Sequence, residues 1–145
     1  MRSTASIWVL SLAAIGCNGT EPIELASSYD LHTVEGDVPP RLIGATVECD
    51  VSVEGGRLTF GEAEQFELGL DVLTDCSRGG SAPSRATYGY TGTAGVDGRR
   101  VVFHTATGLG SVEFEGVLAM NGHLQVPVPN LVPTVNEVTV EFAPN

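Results

Sequence analysis

Apolar and polar residues alternate one for one through most of this chain, and that period of two limits its fold more than anything else. In Val47–Glu54 (VECDVSVE) the apolar side chains and Cys49 take the odd positions, and in Phe66–Val72 (FELGLDV) the apolar side chains take the even ones. Successive strand residues face opposite ways, so the pattern puts one face of each strand in a core and the other in water. No segment sustains a 3.6-residue period, which argues against helix. Nine strands are predicted, at Tyr29–Val34, Thr46–Glu54, Arg57–Phe60, Gln65–Thr74, Ala86–Gly92, Arg99–Ala106, Ser111–Met120, His123–Val128 and Glu137–Phe142. Gly55-Gly56, Gly61, Asp97-Gly98, Gly108–Gly110 and Asn121-Gly122 read as turns, the last as type I′ because both residues accept positive φ. Val38-Pro39-Pro40 reads as a rigid non-strand excursion, since proline cannot donate to a ladder. Cys76–Ser84 reads as an exposed loop and Asn130–Pro133 as a crossing segment.

Short strands in chain order with tight turns predict an all-β fold, an antiparallel meander. Closing the meander into a barrel removes its two bare edges. The barrel interior would be lined by residues such as Leu31, Phe60, Leu68, Tyr88, Tyr90, Phe103, Phe114 and Phe142. A β-sandwich would use the same alternation, and both stay open on periodicity alone.

The chain resembles the small lipocalin-like lipoproteins of bacteria. The resemblance rests on Tyr29-Asp30-Leu31, Gly36-Asp37-Val38-Pro39, Gly56-Arg57-Leu58-Thr59-Phe60, the Tyr-rich Ala86–Gly92, Val101-Val102-Phe103 and Gly122-His123-Leu124. It implies a lipocalin-like β-barrel over residues 28–145 and, by fold analogy, a small apolar or amphipathic ligand.

The opening residues set the compartment. Arg2 followed by the apolar Ile7–Ile15 suits a secretory signal peptide and is too short to span a bilayer, which takes about 20 residues. Ala14-Ile15-Gly16-Cys17 resembles the lipobox of bacterial lipoproteins, which implies cleavage before Cys17 and lipidation of that residue. Residues 1–16 are then a lipoprotein signal peptide and 17–27 a lipidated tether, with palmitate among the acyl groups expected. More than one acyl chain anchors stably to a membrane. Asn18, rather than Asp, follows the cysteine, which by the enterobacterial sorting rule implies the outer membrane of a bacterial cell envelope.

Two further cysteines, Cys49 and Cys76, would then fold in an oxidising compartment, where pairing is the default. Both share the parity of the apolar residues around them, so a disulfide between them is predicted. It would contribute about 3 kcal/mol by restricting the unfolded chain.

The chain carries 18 acidic residues against 7 basic ones, all Arg, for a formal net charge of -11. That excludes nucleic acid as a partner, because binding it takes a basic footprint. His32, His104 and His123 form no spaced metal motif and fall on the polar parity of their strands, which predicts exposed strand histidines and no metal. Glu113 and Glu115 share one strand face and make no opposed acid/base pair. Ser81 and Ser84 lack a nucleophile-elbow context. No enzyme and no cofactor is expected.

Tyr88 and Tyr90 share one face of a strand. With Phe103 and Phe114 they are candidate ligand-binding residues, amphipathic walls of a barrel cavity, or else ordinary core packing. The expected function is therefore a lipid-anchored envelope protein with a non-catalytic binding role for a small apolar or amphipathic ligand. The alternative is a protein-binding module, a periplasmic inhibitor or envelope assembly factor. That alternative predicts a filled core, with a partner on the Cys76–Ser84 loop or an exposed rim.

Overall fold

A computed structural model describes residues 24–107 and 110–145. The signal peptide, Cys17 and most of the tether lie outside the described residues. Nine strands follow in chain order: β1 Ser28–Val34, β2 Arg41–Ala45, β3 Asp50–Phe60, β4 Gln65–Asp75, β5 Ser84–Asp97, β6 Arg100–Thr107, β7 Gly110–Leu118, β8 Leu124–Val132 and β9 Val135–Pro144. Every pairing is antiparallel, in the order β1-β9-β8-β7-β6-β5-β4-β3-β2. The sheet closes where β1 also pairs with β3, at Ser28↔Thr59, Tyr29↔Leu58 and Asp30↔Arg57. The result is a closed eight-stranded antiparallel barrel plus one extra strand. A sandwich would have left β1 and β3 as separate edges; pairing them removes both.

The extra strand is β2, which runs along the rest of the same β3 edge, from Arg41↔Val53 to Ala45↔Asp50. It begins directly after the two prolines, where the sequence pattern predicted no strand. The predicted break at Gly55-Gly56 is also corrected, since β3 runs through both glycines with a bulge against β4 between Val53 and Gly55. A Cβ on Gly56 would lie 2.5 Å from Leu70 Cδ2 and 2.7 Å from the Gly69 carbonyl oxygen. The glycine there permits close strand approach and does not mark a turn. Gly92 acts alike inside β5, where a Cβ would lie 2.0 Å from the His104 carbonyl oxygen. Asn121-Gly122 forms a tight connection of another type than predicted. The Gly122 N–H donates to Ala119 O at 3.0 Å, and only Gly122 in this turn has positive φ, +83°. That matches a type I turn followed by a left-handed glycine, a common three-residue hairpin loop. The predicted Asn130–Pro133 crossing segment is instead the end of β8 and a tight turn into β9.

The inward positions of the alternating pattern meet in one core. Leu58, Leu70, Val101, Phe103, Leu124, Val126, Val140 and Phe142 are fully buried. An aromatic series runs through it: Tyr29–Phe60 (6.0 Å between centroids), Phe60–Phe103 (6.3 Å), Phe103–Phe66 (4.9 Å) and Phe103–Phe114 (4.9 Å). At the end carrying both strand termini, Leu25 and Ala26 pack on this core. There the Ala26 N–H donates to Tyr29 Oη at 3.0 Å and the Phe60 N–H to Ser27 O.

Cys49 and Cys76 are bonded, with Cα atoms 4.0 Å apart. They occupy the next position beyond the last register pair of the β3–β4 hairpin, Asp50↔Asp75. Both are half-buried, so the bridge sits at the barrel rim and not deep in the core. It brings two carboxylates together, and each finds a local partner. Arg78 reaches Asp50, while Ser77 hydrogen bonds hold the Asp75 carboxyl below its ordinary range.

Candidate binding seam

The wall of this barrel is not equally laddered all round, and two prolines account for the difference. Gln125, Pro127 and Pro129 are alternate residues of β8, so their backbone groups point to the same side of the strand. The carbonyl of His123, two residues before Gln125, accepts the Ala119 N–H at the end of β7 at 2.7 Å, which identifies that side as the one facing β7. Proline has no N–H to give. The β7–β8 ladder accordingly holds only Val117↔Gln125 and Leu118↔Leu124, whereas β8 stays paired with β9 as far as Val132↔Val135.

The neighbouring ladder is also partial. β5 and β6 pair from Thr93↔His104 to Asp97↔Arg100, which among the described residues leaves Ser84–Gly92 laddered to β4 alone. β6 and β7 stay paired with each other out to Thr107↔Gly110. Beyond Thr93↔His104 on one side and Val117↔Gln125 on the other, no register pairs join this hairpin to β5 or β8 among the described residues, and the wall opens into a seam between β5 and β8.

One side chain crosses the seam. Tyr90 Oη of β5 donates to the Pro129 carbonyl oxygen at 2.6 Å. Nearby, Thr105 Oγ1 donates to the Thr91 carbonyl at 2.6 Å, so Thr91 has its backbone groups on the seam side. By alternation, those of Arg85, Thr87 and Gly89 point to the seam as well, with no strand bonded to them among the described residues.

The four candidate ligand-binding residues meet here in part. Phe103 and Phe114 are buried and stacked (interplanar angle 14°), and Tyr90 tilts against Phe114 at 5.4 Å. These three make a continuous aromatic path from the core to the seam. Tyr88 faces the same way, opposite Leu70, but stands at the rim with 37% of its surface exposed. The prolines of β8 were the residues that site reasoning missed. A Pro-x-Pro pair inside a strand-like pattern is the signal that could have found them, because it marks a flank that cannot be laddered.

Burial pushes the Tyr90 phenol above its ordinary 10.0. The folded value exceeds the unfolded one, so the stabilising contribution is full below pH 10 and fades as pH rises through the folded value. Tyr90→Phe should cost about 1 kcal/mol at neutral pH, the net worth of one hydrogen bond. It should also remove from the alkaline rise in tyrosinate absorbance the part displaced above the ordinary range. Denaturant titration and a spectrophotometric pH titration check the two parts separately.

Elsewhere the outward side chains frame shallow concavities on the barrel exterior. One, of ≈ 390 Å³, is lined by Asp30, Gly56, Arg57, Glu67, Gly69 and Asp71. The Asp30–Arg57 ion pair (3.0 Å) lies in its wall and is more than half exposed on the Arg side, which makes it a weak contributor to stability. Compared with protein-family models, curated proteins and solved structures, the chain has no significant match.

Proposed function

We propose that this protein is a lipid-anchored, non-catalytic binding module that takes up an extended polypeptide segment along the seam of its lipocalin-like barrel. The observation that carries the reading is the contrast between interior and wall. Phe60, Phe66, Phe103 and Phe114 occupy the barrel interior with one another, while among the described residues β5 has no strand in register with Arg85, Thr87 and Gly89 on the seam side. A strand added to such an edge draws affinity from main-chain hydrogen bonds and specificity from alternate side chains. The net charge of -11 favours a neutral or cationic segment. Anchorage through Cys17 would hold the module at the envelope membrane.

A second reading is favoured by the aromatic path Phe103–Phe114–Tyr90, with Tyr88 at its mouth. A small amphipathic ligand could lodge its apolar part there.

The test is selection of peptides from a displayed random library on the full-length chain, followed by amide hydrogen exchange. The expected result is peptides that alternate apolar with polar or basic residues and slow exchange at Arg85, Thr87 and Gly89. Protection confined to other surfaces would sink the strand-addition reading. A native mass spectrum carrying a small-molecule adduct that is lost on denaturation would replace it with the second. Incorporation of labelled palmitate, abolished by Cys17→Ser, tests the anchor independently.

A further inference from the structure

A separate cluster on the outside of the barrel joins residues that the chain keeps far apart. β1 and β9 are in register at Leu31↔Phe142 and again at Thr33↔Glu141, which leaves His32 as the extra residue of a β-bulge. Leu31 packs on the core and Val34 is buried, so the bulge turns two successive side chains, His32 and Thr33, outward. Such irregularities commonly re-aim a side chain beside a functional site. The imidazole of His32 comes within 5.0 Å of that of His123, centroid to centroid, at an interplanar angle of 72°.

His123 is held from two sides. Its Nδ1 lies 2.5 Å from Glu141 Oε1, and its backbone N–H donates to Asn121 Oδ1 at 3.0 Å. Thr33 Oγ1 donates to the other Glu141 oxygen at 3.3 Å. A carboxylate on one ring nitrogen sets the tautomer that turns the other nitrogen's lone pair outward, the arrangement found behind metal-ligating histidines. Two imidazoles on one tetrahedral ion, with metal–nitrogen bonds of about 2.0–2.1 Å, place their ring centroids about 5 Å apart. The observed spacing matches.

We propose that His32 and His123 form a surface site for a divalent first-row transition ion that prefers imidazole, of the Zn²⁺ or Cu²⁺ class. Glu141 orients His123 from behind, and water completes the coordination. Among the described residues no three His, Cys, Asp or Glu side chains converge on one point as a ready-made site. The ion is therefore held by two protein nitrogens and binds more weakly than in a closed four-ligand site.

The experiment is calorimetric titration of Zn²⁺ into the full-length chain, with excess Mg²⁺ to saturate exposed carboxylates, paired with imidazole ¹⁵N NMR. One equivalent should bind and shift the His32 and His123 resonances. His32→Asn and His123→Asn should each abolish it, and Glu141→Gln should weaken it 10- to 100-fold. His104→Asn should leave it unchanged, because His104 pairs with Glu113 at 3.0 Å without a second imidazole. Circular dichroism establishes that each variant folds; His32, being exposed, is the least disruptive to replace. Absence of saturable uptake, or uptake that persists in folded His32→Asn, would overturn the proposal.

Discussion

Replacing Phe103 with Ala should lower the free energy of unfolding by about 4 kcal/mol, within the range seen for buried aromatic truncations. Phe103 is completely buried and lies in ring contact with Phe60, Phe66 and Phe114. Its register partners are Ala94 on β5 and Phe114 on β7, so it also holds two strands beside the partly laddered wall. Truncation removes the transfer free energy of a whole ring and leaves a void that does not easily collapse, because ladders to Ala94 and Phe114 fix the backbone at Phe103 on both sides. A domain of this size has only about 5–15 kcal/mol to lose. Urea denaturation should show a lower midpoint at unchanged slope. A cost below about 1.5 kcal/mol would mean that the ring is not close-packed and that the barrel interior is loosely filled.

The second large effect is expected from the disulfide. Reduction, or the double substitution Cys49→Ser/Cys76→Ser, should cost about 3 kcal/mol. The two residues are 27 apart in sequence and close the β3–β4 hairpin at the end opposite its own turn. In the unfolded chain the bridge forbids the extended arrangements of that loop, and removing it restores their entropy. The wild type in reductant and the double variant in oxidant should therefore have the same denaturation midpoint. The oxidised wild type should show a smaller urea dependence than either, because its unfolded state exposes less surface. Equal midpoints with and without reductant would show that the bridge adds nothing beyond the ladder from Asp50↔Asp75 to Phe60↔Phe66.

Some errors in the sequence reading share a cause. Gly55-Gly56 reads as a turn, and the predicted strand Ala86–Gly92 stops at its glycine, because glycine is the commonest residue of turns. In the barrel they lie within long strands, and at Gly56 and Gly92 a neighbouring strand passes too close for a Cβ. A turn glycine and a close-approach glycine look alike along the chain. β2 was missed because it is short, follows two prolines and has a largely exposed pattern, with Leu42 52% exposed. The candidate residues fared unevenly as a group. Phe103, Phe114 and Tyr90 share one aromatic path, whereas Tyr88 stands outside it at the rim. Cys49 and Cys76 share parity with their strands' core residues and are bonded.

The alternation by itself determined that the protein is all-β, which side chains face inward, and which two cysteines share a face. These are local properties, because a strand's two faces follow from pleat geometry within a few residues. Only the tertiary structure decided that β1 closes on β3, that the wall opens between β5 and β8, and that His32 meets His123 beside Glu141. Those outcomes depend on register between strands far apart in the chain. A bulge of one residue at His32, or a missing N–H at Pro127, changes them without altering the period that a reader of the sequence can see.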